Sequence, residues 1–204
     1  IGWLTWELTG SAGWLGIVAF AGMIPVTVVS PIAGVMADRL GHRQMAMAAG
    51  AFGGLVTLTL ALLTIGGLTT VPILLGLSIL QGIAFGVEFP ARQALIPQLC
   101  ERENMSAALA FNATTFQVGT FIGPVLAGFL ITHYGSGASI LMFAATNFWM
   151  ALMILLIRFR PEPRDPREDT GFFSEIADGF RYIAATPSLR LLFMISFTSG
   201  LLLR

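Results

Sequence analysis

The chain has 204 residues and a formal net charge of zero; 55% of its residues are hydrophobic, 11% are charged, and none is lysine. A soluble domain is usually nearer a quarter charged, so the composition places the chain in a lipid bilayer. The balanced charge by itself says nothing about nucleic acid, which is not among the expected partners; the useful information lies in where the arginines sit. A single cysteine, Cys100, excludes a disulfide framework and any multi-cysteine metal site.

The first residues, Ile1-Gly2-Trp3-Leu4, are apolar with no basic leader before them, which suggests the tail of a span, 1–8, whose beginning is missing. A polar turn near Thr9-Gly10-Ser11 follows, then an uncharged stretch long enough to cross a bilayer, 14–37, with Pro25 and Pro31 expected to bend it. The residues from Gln44 to Val87 again carry no charge. That is about twice one crossing, so spans at 44–65 and 71–91 are expected, broken at Gly66-Gly67. Two more spans fit 105–131 and 138–157, parted near His133-Tyr134-Gly135. Residues 158–188 are rich in proline and mixed charge and suggest a linker; Phe172, Ile176, Phe180 and Ile183 recur in it at helical spacing, as in an amphipathic surface helix. Residues 189–204 open another apolar run, the expected start of a second bundle.

Ten of the eleven arginines lie in alternate links: after the second span, after the fourth, and in 158–190. The links near 66–72 and 132–139 have none. The positive-inside rule makes the arginine-bearing links cytoplasmic, in a plasma (inner) membrane. The whole is then an all-α polytopic bundle over 1–157, since only hydrogen-bonded helices or closed barrels cross lipid.

No catalytic constellation is present, and no cofactor or metal is implied. His42 and His133 fall on opposite sides of the membrane in this topology, and no phosphate-binding loop with lysine exists. The expected activity is therefore not enzymatic.

Three features suit a moving helical bundle instead. The first is Gly34-x-x-x-Asp38-Arg39-x-Gly41-x-Arg43, joining two spans. Its arginines are explained by orientation alone, whereas Asp38 is not: an acid there caps a helix or pairs with a basic group. The second is the stripe Ser78, Gln81, Phe85, Glu88 and Arg92, on one face of the fourth span by steps of three and four. It is either a surface ion pair at a helix end or a polar face towards a water-filled path, with Glu88 a titratable group in a partly low dielectric. The third is Gly119, Gly123, Pro124 and Gly128, where small residues allow close helix approach and the proline bends the span. Asn112 and Gln117 in the same span face either neighbouring helices or a cavity.

The first of these motifs resembles the signature loop between the second and third helices of the major facilitator superfamily, and the third resembles the fifth-helix motif of its drug and metabolite antiporters. The run Phe89-Pro90-Ala91-Arg92-Gln93-Ala94-Leu95-Ile96-Pro97, with Leu8-Thr9-Gly10-Ser11-Ala12, resembles the branch holding the enterobactin exporter and macrolide-efflux transporters. The resemblance covers essentially the whole chain. It implies the six-helix N-terminal half of a twelve-helix transporter, with most of helix one missing and helix seven just begun.

It further implies export of small amphiphilic molecules, such as drugs, siderophores or secondary metabolites, by alternating access and proton antiport. The partners implied are the substrate, protons, the bilayer and the C-terminal half of the same chain. Asp38 would hold a second-half helix, Arg39 and Arg43 would engage acids with Glu88 a partner, and Gly119, Gly123, Pro124 and Gly128 would shape the contact between halves. Gln81, Phe85, Asn112 and Gln117 are the cavity-wall candidates; Glu88 and Arg92 are those for gating and proton coupling. Two departures stand out: Ser78 and His42 occupy positions often basic in drug antiporters. An importer or facilitator of the same fold, or a membrane scaffold or receptor, are the alternatives.

Overall fold

A computed structural model describes residues 1–157; the linker, surface helix and further span expected in 158–204 lie outside the described residues. Six α-helices make up the described part: α1 Gly2–Thr9, α2 Ala12–Leu40, α3 His42–Ile65, α4 Val71–Leu99, α5 Met105–Tyr134 and α6 Ser136–Leu156. Five of them, α2 to α6, are long and apolar enough to cross a membrane. At about 1.5 Å per residue the 29 residues of α2 extend roughly 43 Å, beyond the ~30 Å hydrocarbon core.

The helices overrun the expected spans mainly at one end. Asp38 and Arg39 belong to the last turn of α2, so the link to α3 is the single residue Gly41. With φ +97°, a backbone conformation that L side chains rarely adopt, Gly41 lets the chain turn within one residue. Likewise α4 continues past Glu88 and through Pro90 and Pro97 to Leu99. Charge marks where a helix leaves lipid, not where it stops.

The helices pack as two pairs, α2 on α4 and α3 on α6, joined by α3 against α4; α5 lies along α6 and barely touches α4. Between apolar helices in lipid the hydrophobic effect supplies little, and small residues that admit close van der Waals contact take over. A Cβ built on Gly82 of α4 would lie 2.1 Å from the carbonyl oxygen of Gly22 of α2, and one on Gly86 would lie 3.1 Å from the Val26 Cα. In the other pair, the Phe148 ring of α6 lies over Gly54 of α3, where an added Cβ would come within 2.9 Å of it. Side chains close both ends of this packing. Leu4, Val18, Leu60, Leu74 and Ile140 are buried together at one end, and Ala37, Ala46, Ala91, Leu95 and Ile154 at the other.

No residue of α5 is buried. Phe111, Phe121 and Val125 are 77%, 82% and 68% exposed, and a Cβ on Gly119, Gly123 or Gly128 would meet nothing within 4 Å.

Candidate functional site

Two polar regions stand out from this apolar frame. One joins the ends of α2, α3, α4 and α6 on the side where the sequence carries its arginines. Across the one-residue link, His42 Nε2 lies 3.2 Å from Asp38 Oδ1. On its other side His42 Nδ1 is 3.2 Å from the Gln98 side-chain nitrogen, near the end of α4. The tautomer with its proton on Nε2 satisfies both: Nε2–H donates to the carboxylate, and Nδ1 accepts from the amide. A chain of three side chains thus ties α2, α3 and α4.

Arg43, one residue on, reaches α6. Its Nε donates to the Ile154 carbonyl at 3.2 Å and its Nη2 to the Leu155 carbonyl at 2.7 Å. The last carbonyls of a helix lack intrahelical partners, and a guanidinium placed there also complements the negative end of the macrodipole. This differs from the expectation that Arg43 engages an acid. Its fork faces two unpaired carbonyls, whereas the carboxylate of Glu88 pairs within its own helix, 3.9 Å from Arg92 Nε. The far end of α6 is held similarly: Ser136 Oγ donates to Glu7 Oε2 of α1, which sets a carboxylate beside the positive N-terminus of α6.

The second region is a cleft of about 420 Å³ between α4 and α5, lined by Arg92, Asn112, Thr115, Phe116, Gly119 and Thr120. It opens because α5 stands off from α4, bridged by one hydrogen bond from Asn112 Nδ2 to Gln93 Oε1 at 3.1 Å.

The stripe on α4 divides between several settings. Ser78 and Glu88 are 3% and 7% exposed. Gln81 is half-buried with its amide near Gly53 of α3, so it faces the inner packing and not the cleft. Phe85 is 41% exposed and stacks at 5.5 Å on Phe89. Gln117 is exposed on α5 but does not line the cleft. Of the wall candidates, Asn112 alone lines it.

Sequence reasoning missed Gln98, Gln93, Glu7 and Ser136, since pairing between distant polar residues leaves no local pattern. It also missed Gly22, Gly82 and Gly86, although the last two have the four-residue spacing that singled out Gly119 and Gly123.

A set of membrane-length helices, packed through glycines, clamped by polar contacts at their ends and, among the described residues, leaving one helix uncovered, defines a polytopic membrane protein. The sequence comparisons give the class: residues 1–202 match the transmembrane secretion effector family. The chain belongs to that family of major facilitator transporters. It is 29% identical over 205 residues to the multidrug efflux pump Tap of Mycobacterium tuberculosis, covering 96% of this chain and 48% of Tap. It is 28% identical over 186 residues to the enterobactin exporter EntS of Escherichia coli, covering 90% and 42% respectively. To the staphyloferrin A transporter of Staphylococcus aureus it is 29% identical over 162 residues, 78% of this chain and 41% of that protein. The chain thus spans less than half the length of these relatives.

Proposed function

We propose that this chain is the N-terminal half of a secondary active exporter of small molecules, working by alternating access and driven by proton entry. The family and the export named for Tap and EntS support the direction. The observation that carries the reading is the contrast between a tightly packed unit and the open face of α5 beside a polar cleft, as a half-transporter that rocks against a second half would need. In this reading the arginine-bearing end is cytoplasmic, the membrane is the plasma (inner) membrane, and 158–188 links to a second bundle that begins in 189–204.

Asp38, His42 and Gln98 form a latch at the cytoplasmic end, built from contacts weak enough to break in each cycle. Glu88, a buried carboxylate with one arginine partner, is the proton-coupling candidate. Gly119, Gly123, Pro124 and Gly128 shape the surface that meets the second half.

The test is accumulation of drugs and siderophores in cells with and without the full-length protein. Expression should lower accumulation, and Asp38→Asn should abolish most of that difference at unchanged membrane abundance. Equal accumulation with and without the protein, across such compounds, contradicts export.

A further inference from the structure

From its hydrogen-bond chemistry we infer that the cleft between α4 and α5 takes an oxyanion that brings its own hydrogen-bond donors, the acidic end of a hydroxylated or amide-bearing organic acid. This rests on the export reading and adds a substrate class to it.

Arg92 carries five N–H donors. Among the described residues its contacts are the Glu88 carboxylate at 3.9 Å, the Met150 thioether at 3.7 Å and the Phe89 ring at 6.0 Å. The first is too long for a hydrogen bond, the second is to a weak acceptor, and the third places the guanidinium over the ring face at the outer limit of cation–π distance. Among the described residues the guanidinium therefore keeps most of its donors for a ligand in the cleft, where it is the one cation among the described lining residues. A planar carboxylate or phosphate matches its fork.

The remaining polar groups of the wall are mostly acceptors. The Thr115 hydroxyl already donates to the Phe111 carbonyl and the Thr120 hydroxyl to the Phe116 carbonyl, each at 2.9 Å. The Asn112 amide nitrogen already donates to Gln93. The two threonines offer the cleft acceptor oxygens only, and Asn112 offers its amide oxygen together with its second N–H. A bare anion would satisfy Arg92 and leave these oxygens facing negative charge; a neutral hydroxylated molecule would satisfy them and leave Arg92 without a partner. An acid bearing hydroxyl or amide donors satisfies both sets. Phe116 offers a flat apolar body a ring to lie against beside it.

Fluorescein, a flat ring system with a carboxylate and a phenol, is a suitable probe, with its methyl ester and cationic rhodamine 6G as comparators. Efflux of each dye is followed from cells expressing the full-length protein. The wild type should export fluorescein several-fold faster than the ester. In Arg92→Gln this preference should fall about tenfold, the scale of one charge-assisted hydrogen bond, while Arg92→Lys, at matched membrane abundance, keeps part of it. Equal export of acid and ester by the wild type, export of rhodamine 6G alone, or an unchanged acid preference in Arg92→Gln overturns the inference and leaves export standing. An unchanged fluorescein preference together with loss of co-purified phosphatidylglycerol in Arg92→Gln assigns the oxyanion to a lipid headgroup and also overturns it. Export of no dye, with no difference in accumulation for any drug or siderophore, removes the export reading itself.

Discussion

Two sets of glycines with the same spacing behave differently in this protein. Gly82 and Gly86 of α4 lie against the backbone of α2, where an added Cβ at Gly82 would come within 2.1 Å of a carbonyl oxygen. Gly119 and Gly123 of α5 face open space, with nothing within 4 Å of the same added atom. Glycines four apart allow close helix contact, but the spacing does not say with what. The α4 pair is occupied within the described residues. The α5 pair is available to something beyond them, and in the export reading that is the second half.

The largest expected effect lies on the occupied side. Gly82→Ala must push α2 and α4 apart at their backbones. Overpacking of a tight contact costs about 1–3 kcal/mol and sometimes more, so membrane abundance and thermal stability of the detergent-solubilised full-length protein should both fall markedly. Unchanged stability would mean that α2 and α4 do not approach as described.

Next comes the clamp on α6. Arg43→Ala leaves the Ile154 and Leu155 carbonyls without their charged donor. Loss of such bonds costs about 1.5–3 kcal/mol, discounted here because Leu155 is 52% exposed and water can replace part of the contact. A drop in thermal stability of a few degrees is expected, with Arg43→Lys recovering only part of it because an ammonium lacks the planar fork. If Arg43→Lys is indistinguishable from the wild type, the two-carbonyl geometry is not what holds α6.

Glu88→Gln separates folding from function on the same helix as Gly82. The amide keeps the shape and removes the charge, so abundance should hold while proton movement per exported molecule falls towards zero, measured as dye efflux against an imposed pH gradient. Unchanged coupling would place the proton site outside this half.

The smallest effect belongs to Ser78→Ala. Ser78 Oγ is buried without a hydrogen-bond partner among the described residues, so removing it forfeits no bond. Stability should change by less than about 0.5 kcal/mol.

The same contrast shows how far the sequence could be followed. Hydropathy and arginine placement were enough for the helices, because lipid imposes length and internal hydrogen bonding on any span. The helix ends differ: α4, expected to stop at 91, runs on to Leu99, and Asp38 and Arg39, expected in the link, sit inside α2. Local pairs such as Glu88 with Arg92 were legible because four residues make a helical turn. The contacts of His42 with Gln98, Arg43 with the end of α6, and Glu7 with Ser136 were not. They depend on which helices are neighbours, and that is decided by glycine contacts such as Gly22 with Gly82.

The central claim is that one glycine set builds the unit and the other serves its contact with a moving second half. The most direct test substitutes Gly123→Ala in the full-length protein and measures membrane abundance and dye export on the same sample, beside Gly82→Ala. Wild-type abundance with strongly reduced export is expected for Gly123→Ala, and reduced abundance for Gly82→Ala. Wild-type export by Gly123→Ala, or a loss of abundance equal to that of Gly82→Ala, would contradict it.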